Sequence, residues 1–297
     1  MAIFPWLWAV ITVIAAAAQT VRNAAQRQLT GELGTVGATH VRFLFGFPFA
    51  LVFLTLIVTG LGRELPRPDL PFFFWASAGA LAQIVATAMM LAAMDQRSFV
   101  VTIAYTKTEP VQAALFGVAF LGDRLTIPML FAIVVATAGV MMMSLQQGQS
   151  GGARPTLLGL LAGGFFAISA VGFRGAIISL DGADRLLAAS FTLCVVLAMQ
   201  AASLSAYLMV RDRAVLVAIL RAWRRSLLAG FMGAFASQLW FLAFALTTAA
   251  NVRTLALVEI IYAQAASRYA FGQRTTRREV AGLVLIIIGV ALLIAVQ

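Results

Sequence analysis

The sequence predicts an all-α membrane protein whose ten transmembrane helices form two inverted five-helix repeats. Three observations predict it: an apolar composition, ten hydrophobic runs of membrane-spanning length, and similarity between the two halves of the chain. Hydrophobic residues make up 62% of the 297 residues, charged residues make up 11%, and the mean hydropathy is +0.97. A soluble domain of this size cannot cover so much apolar surface, so we expect lipid to solvate much of the chain.

Hydrophobic runs of about 20 residues are long enough to cross the hydrocarbon core of a bilayer as helices. Ten such runs follow one another between short polar breaks, at residues 5–25, 34–61, 70–94, 98–121, 125–145, 156–179, 184–210, 225–248, 251–271 and 276–296. The first run resembles a signal peptide in length, but no basic residue precedes it. We therefore interpret it as the first transmembrane helix.

The two halves of the chain match when the sequence is shifted by 150 residues. The matched pairs are Glu109 with Glu259, Ala113 with Ala263, Gly122 and Arg124 with Gly272 and Arg274, Thr126 with Thr276, and Gly139-Val140 with Gly289-Val290. We predict a first repeat at residues 1–145, a Gly-, Gln- and Ser-rich linker at 146–155, and a second repeat at 156–297. Because each repeat has an odd number of helices, the second enters the membrane from the opposite side. Inverted repeats with a midplane site between them are typical of secondary transporters.

The segment TEPVQAALFGVAFLGDRLT, residues 108–126, followed by Gly139-Val140 in the next helix, resembles the EamA family of the drug/metabolite transporter superfamily. The family pattern has Glu-Pro in helix four and then a Gly-Glu-Arg turn. The first repeat has Glu109-Pro110 and Gly122-Asp123-Arg124, whereas the second has Glu259-Ile260 and Gly272-Gln273-Arg274. The second repeat therefore departs further from the family pattern.

This resemblance implies a five-plus-five helix fold around a central cavity, as in bacterial metabolite exporters of the inner membrane, including amino-acid exporters. Helices one, three, four, six, eight and nine would line the cavity, and helices five and ten would pack outside it. The family handles many metabolites, so the resemblance does not identify the substrate.

Ionisable groups at membrane depth usually face a cavity or a partner, because exposure to hydrocarbon is costly. Lys107, Glu109, Glu259 and Arg253 lie inside predicted helices, and Arg42 is close enough to a helix end to extend toward the headgroups. In a continuous helix Lys107 and Glu109 would point about 200° apart. Lys107 therefore needs a partner from another helix, and Glu259 is one candidate.

The remaining candidates are polar or aromatic side chains on helices that the resemblance places at the cavity. The full set of candidate substrate-binding residues is Gln19, Asn23, Gln83, Tyr105, Lys107, Thr108, Glu109, Gln112, Gln238, Trp240, Glu259 and Tyr262. Two interpretations stay open: contact with substrate, or hydrogen bonds and ion pairs that hold helices together. The pairs Ala132/Gly139 and Gly282/Gly289 put small side chains on one stripe each, which predicts close helix packing.

Several function classes find little support in the sequence. One cysteine, Cys194, and one histidine, His40, exclude a disulfide framework and a multi-histidine metal site, so we expect no metal and no cofactor. There is no Gly-x4-Gly-Lys-Ser/Thr loop, no Ser/His/Asp set and no His-Glu-x-x-His motif. The net charge of +10 comes from arginines between apolar runs, which favours a role in membrane orientation over nucleic-acid binding.

Orientation is predicted differently by charge and by resemblance. Twelve arginines fall in the loops after helices one, three, five, seven and nine: Arg22, Arg27, Arg97, Arg154, Arg211, Arg213, Arg221, Arg224, Arg225, Arg274, Arg277 and Arg278. Five fall in the opposite loops: Arg63, Arg67, Arg124, Arg174 and Arg185. The excess of basic residues predicts termini outside the cell, whereas the resemblance implies termini in the cytoplasm.

The sequence as a whole favours a transporter that exports amino acids or similar small metabolites by alternating access, with protons as the candidate coupling ion. Efflux of lipophilic cations is an alternative that would rely on Glu109 and Glu259, and a membrane scaffold without transport is another. The expected partners are a small-molecule substrate and the lipid bilayer. The sequence does not determine the oligomeric state, and it is consistent with a monomer.

Overall fold

The computed structural model describes residues 6–96, 105–144, 153–262 and 276–296. Every regular element in these ranges is helical: α1 (Leu7–Leu61), α2 (Leu70–Gln96), α3 (Glu109–Phe116), α4 (Ile127–Ser144), α5 (Ala153–Ile178), α6 (Arg185–Arg211), α7 (Arg213–Arg221), α8 (Trp223–Leu246), α9 (Ala249–Leu255) and α10 (Arg277–Ala295). A π-helical turn, Gly117–Leu121, extends α3, and a 3₁₀ turn, Ala256–Val258, extends α9. Each predicted hydrophobic run overlaps one of these helices.

Six helical stretches of the described chain are long and apolar enough to span a membrane: Leu29–Leu61, Leu70–Met90, Leu157–Ile178, Arg185–Arg211, Trp223–Leu246 and Arg277–Ala295. Shorter apolar helices cover Leu7–Arg22, Glu109–Leu121 and Ile127–Met143. A helix satisfies its backbone hydrogen bonds internally, which a chain in lipid requires. The protein is therefore an all-α, multi-pass membrane protein, as the sequence predicts.

The first two predicted helices are joined by helix rather than by the expected loop. The backbone of α1 is helical on both sides of Gly34, whose φ of 66° and ψ of 177° mark the break. Only glycine adopts such a conformation without strain. Leu29 and Leu33, four residues apart, are buried in one apolar cluster with Val41 and Ile219, and this packing keeps the segment before Gly34 helical.

Arg22 and Arg174, which the sequence assigns to loops, lie inside α1 and α5, and each contacts another helix. Arg22 is buried, and its side chain packs near Gly233 of α8. Arg174 of α5 donates a hydrogen bond from Nη1 to the Phe244 carbonyl over 2.8 Å. Without these two, the predicted loop arginines number eleven against four, so the charge asymmetry persists.

The first compact unit comprises Met1–Ile84 and Gly172–Leu246, and thus contains α1, α6, α7 and α8 with one end each of α2 and α5. Its largest fully buried side chains include Phe43, Phe72, Phe173 and Phe244. Gly79 and Gly172 lie against each other, since a Cβ on Gly172 would stand 2.9 Å from the Gly79 Cα. Glycines thus let α2 and α5 approach closely.

The second compact unit comprises Val85–Val171 and Thr247–Gln297, and its best-packed helix pair is α4 with α10. A Cβ on Gly139 would lie 2.6 Å from the Gly282 carbonyl oxygen, and one on Gly289 would lie 2.7 Å from the Ala132 carbonyl oxygen. The close packing predicted from the Ala132/Gly139 and Gly282/Gly289 pairs is confirmed.

The Gly-Asp-Arg turn has a conformational origin. Gly122 has φ of 66° and caps the helical turn that ends at Leu121, a left-handed position that favours glycine. The Asp123 amide then donates to the Gly117 carbonyl over 3.1 Å. The motif therefore ends one helix and turns the chain toward α4.

The close contact of α4 with α10 predicts opposite effects for two glycine-to-alanine changes. Gly139→Ala places a methyl group against backbone and should lower the free energy of unfolding by about 1–3 kcal/mol. Gly31→Ala, where a Cβ meets nothing within 4 Å, should raise helix propensity and stabilise by up to about 1 kcal/mol. Thermal unfolding of the purified protein in detergent measures both. Equal effects of the two changes would contradict the packing interpretation.

Candidate functional site

The fourth predicted helix is broken immediately before Glu109, so the prediction of a continuous helix over residues 98–121 is wrong at this point; residues 98–104 lie outside the described part of the chain. Lys107 and Thr108 form a turn, and α3 begins at Glu109. Pro110 explains the break, because its ring excludes it from a helix interior but suits the first turn. The Thr106 carbonyl, which Pro110 cannot bond, points toward Gly163 of α5, where a Cβ would lie 3.0 Å from it.

The ninth predicted helix has a matching irregularity. After α9 the chain tightens into the 3₁₀ turn Ala256–Val258, and helix resumes at Glu259. Glu109 and Glu259 match each other when the sequence is shifted by 150 residues. A helix irregularity directly precedes each of these two glutamates. Broken helices of this kind place polar groups and free backbone ends at the binding sites of many transporters.

Two ion pairs connect these segments within the second compact unit. Lys107, beside the first break, pairs with Glu259, the partner that the sequence offered as a candidate. Arg253 of α9 pairs with Glu109, with Nε and Oε1 2.8 Å apart. The pairing is reciprocal, because each segment supplies one cation and one carboxylate to the other.

The charged side chains are largely removed from the surface. Those of Lys107 and Glu259 are each 13% exposed, and those of Arg253 and Glu109 are 10% and 12% exposed. Two positive and two negative charges balance within the cluster. A buried charge that lost its partner would be strongly destabilising, so any ligand that opens these pairs must supply replacement charges.

Next to the ion pairs, hydrogen bonds connect Tyr105, Thr108 and Gln112 at the start of α3. The Thr108 hydroxyl donates to the Tyr105 carbonyl over 2.8 Å, and the Gln112 side-chain amide donates to the Thr108 hydroxyl over 2.9 Å. Tyr262 lies one helical turn beyond Glu259 and is partly buried. These residues group with the ion pairs, so seven of the candidate residues belong to the second unit.

Three glycines of α5 let Tyr105, Thr108 and Gln112 lie close against that helix. A Cβ on Gly159 would lie 2.7 Å from the Tyr105 Cβ, and one on Gly164 would lie 2.6 Å from the Gln112 Oε1. Gly163 fits between them against the Thr108 hydroxyl at 3.0 Å. Sequence analysis did not select these glycines, although Gly159 and Gly163, four residues apart in one helix, were a usable signal.

The other candidates lie in the first compact unit, and four of them bond to a neighbouring helix: Gln19, Gln83, Gln238 and Trp240. The Trp240 indole Nε1 donates to the Gln19 side-chain oxygen over 3.0 Å, and the Gln238 amide donates to the Ser190 hydroxyl over 2.7 Å. The Gln83 side-chain oxygen accepts from Gln200 over 2.9 Å. The side chain of Asn23 lies outside the described residues. These bonds fit helix association, the second interpretation that the sequence left open.

Two ionisable residues differ from their sequence-based assignment. Arg253 was not selected for the site, yet it forms one of the two ion pairs. It lies six residues before Glu259, a spacing that does not place two residues on the same face of a helix. Arg42 is buried, with its Cγ 3.2 Å from the Cβ position of Gly233, so the expectation that it extends toward the headgroups is wrong. His40 and Cys194 are buried, as packing residues are, and His40 shares a 2.9 Å hydrogen bond with Ser205.

Repeated apolar helices, paired helix irregularities and a balanced buried charge cluster are features that many membrane transporters share. The EamA-like transporter family matches residues 4–145 and 154–295. The chain therefore belongs to the EamA family of the drug/metabolite transporter superfamily, with one family unit in each half.

Solved structures share this fold. Twenty-nine chains match, and one, described only as a crystal structure of a protein, aligns with 97% of this chain and 99% of its own length at a TM-score of 0.70 and 16% identity. At that identity the likeness concerns the fold alone. No curated protein matches the chain.

The reciprocal ion pairs predict a strong coupling between Lys107 and Glu259. Lys107→Met or Glu259→Gln alone should lower the free energy of unfolding by about 3–5 kcal/mol, since each leaves a buried charge without its partner. The double variant should lose less than the sum of the two. Detergent unfolding of the four proteins gives the coupling energy.

A matched control is the ion pair of Arg225 with Glu32, whose side chains are 72% and 51% exposed. Its coupling should stay below about 1 kcal/mol. Additive effects of Lys107→Met and Glu259→Gln would show that the two residues do not interact.

Proposed function

We propose that this chain is a secondary transporter that exports amino acids or similar small zwitterionic metabolites by alternating access. The observation that carries the proposal is the reciprocal pairing of Lys107 with Glu259 and Arg253 with Glu109. The bacterial inner membrane is the proposed location, with both termini on one side.

The charge cluster has the composition that a zwitterion needs. A substrate carboxylate replaces a glutamate as the partner of Lys107 or Arg253, while the substrate ammonium pairs with the glutamate it displaced. Every charge keeps a partner through this exchange, so the desolvation penalty of an isolated ion is avoided. Neighbouring hydroxyl and amide groups of Tyr105, Thr108 and Gln112 supply the further hydrogen bonds that orient a small polar ligand.

Substrates with a single charge fit less well. A lipophilic cation can pair with Glu109 or Glu259 only by displacing Arg253 or Lys107, which then remains charged and unmatched among buried groups. Aromatic surfaces are the usual compensation for such cations. The cluster described here is dominated by polar and ionic groups, which favours the zwitterion.

Alternating access follows from the same exchange. The two ion pairs tie the segment around α3 to the segment around α9, so opening a pair frees both segments to move. The helix breaks beside Lys107 and before Glu259 supply the points about which such segments turn. The two glutamates are the groups of the cluster that can carry a proton between the two sides, which makes the proton the proposed coupling ion.

Transport assays in proteoliposomes test the substrate class. Wild-type protein should exchange a labelled neutral amino acid, and Lys107→Met and Glu259→Gln should each reduce the rate at least about tenfold, the effect of about 1.4 kcal/mol in a barrier. The charge-swapped double variant Lys107→Glu with Glu259→Lys should recover part of the rate. Variants of Arg225 and Glu32 serve as the exposed-pair control.

A competition panel separates the alternative. Unlabelled zwitterionic amino acids should inhibit exchange, and lipophilic cationic dyes should not. Inhibition by dyes alone would favour cation efflux, and full flux in both single variants would remove the ion pairs from the transport site.

Proton coupling is tested by collapsing the pH gradient across the same proteoliposomes. Accumulation of substrate against its own gradient should fall to the equilibrium level when a protonophore is added, while one-for-one exchange continues. Glu109→Gln, which cannot release a proton, should accumulate no substrate in either condition. Accumulation that survives the protonophore would contradict proton coupling.

A further inference from the structure

Helix α7 is a short amphipathic segment between two membrane-spanning helices. It begins directly after α6 ends at Arg211, and α8 begins at Trp223, so α7 lies where the chain leaves and re-enters the membrane. The Asp212 side chain caps it by accepting from the Val215 amide over 3.2 Å. Its position and composition are those of an interfacial helix.

One face of α7 is fixed to the protein. Ile219 is fully buried in the apolar cluster with Leu29 and Leu33 of α1 and Leu208 of α6. Leu216 packs against the same cluster. This packing holds α7 against the protein and therefore fixes the positions of its arginines.

The other side of α7, together with the start of α8, presents both arginines and large apolar groups. Val217, Leu220 and Trp223 are 45%, 55% and 47% exposed. The Arg224 guanidinium lies over the Trp223 ring, 5.3 Å from its centroid. Exposed apolar side chains, an amphipathic ring and arginines are the residue types found where the acyl chains of a bilayer meet the headgroups. The composition of this surface therefore indicates that it lies at the membrane interface.

A cavity of about 810 Å³ opens beside this helix and is strongly basic. Four arginines line it, Arg213, Arg221, Arg224 and Arg225, and the acidic residue among its lining is Glu32. Glu32 pairs with Arg225, so the cavity keeps an excess of positive charge. Arg213 donates from Nε to the Met209 carbonyl over 2.9 Å, which orients its guanidinium.

We infer that this cavity binds the phosphate of an anionic phospholipid headgroup. Guanidinium groups are suited to phosphate because they offer several donors in a planar fork. The lipid's acyl chains would then run along the exposed Val217 and Leu220, which a soluble anion does not need. Basic pockets at the membrane surface recognise anionic headgroups through this combination.

A second cavity of about 640 Å³ provides an internal comparison. It is lined by Arg63 and Arg67, but also by Glu64, Asp181 and Asp184, so its charges do not favour an anion. Changing its two arginines gives a matched control for charge removal.

The test measures lipid binding to the purified full-length protein by native mass spectrometry. Wild type should retain phosphatidylglycerol in preference to phosphatidylcholine. Phosphatidylglycerol binding should weaken about fivefold in each of three single variants, Arg213→Gln, Arg221→Gln and Arg224→Gln, and about a hundredfold in the triple variant. These factors follow from the usual contribution of one basic residue to binding at an anionic lipid surface. Lysine at the same three positions should bind more lipid than glutamine does but less than wild type, because it keeps the charge and lacks the planar fork of donors.

The control variant Arg63→Gln with Arg67→Gln should bind phosphatidylglycerol as wild type does. Equal binding of the triple glutamine variant, or equal loss in the control, would overturn the inference. Inorganic phosphate and glycerol phosphate at millimolar concentration should not displace the lipid; displacement would identify a soluble-anion site instead. Because the single variants leave the packed face of α7 intact, they decide the question even if the triple variant fails to fold.

Discussion

The need to pair charge inside an apolar surrounding governs this protein's central features. Lys107, Glu109, Arg253 and Glu259 lie in segments that the membrane would otherwise require to be apolar. Their reciprocal pairing makes four unfavourable burials acceptable together, and it ties the two helix irregularities to each other. The irregularities are in turn tolerable because protein, and not lipid, covers the freed backbone groups.

The same constraint connects packing with chemistry. Polar groups at the first break can be satisfied only if α5 comes close, and Gly159, Gly163 and Gly164 permit that approach. A larger side chain at any of them would press against Tyr105, Thr108 or Gln112. Small residues therefore determine where hydrogen-bonding side chains sit, much as Gly139 and Gly282 determine the spacing of α4 and α10.

Composition and periodicity predict the membrane class, the helical runs and the two repeats, because hydrocarbon imposes length and polarity on every span. They fail where tertiary packing decides. The segment before Gly34 reads as a loop by its polar residues, yet Leu29 and Leu33 bury it as helix. Pro110 signals the break at Lys107, whereas nothing in the sequence around Ala256–Val258 distinguishes a 3₁₀ turn from the expected helix.

The site was predictable as a set of residue types but not as a set of partners. Unmatched charges in the sequence show that partners must exist, and Glu259 was a candidate for Lys107 because it is the other buried carboxylate. Arg253 has no such signal, since its contact with Glu109 depends on how α9 and α3 cross. The repeat relates the two glutamates by sequence, but Lys107 and Arg253 do not align with each other. The two halves therefore reach charge balance with differently placed cations.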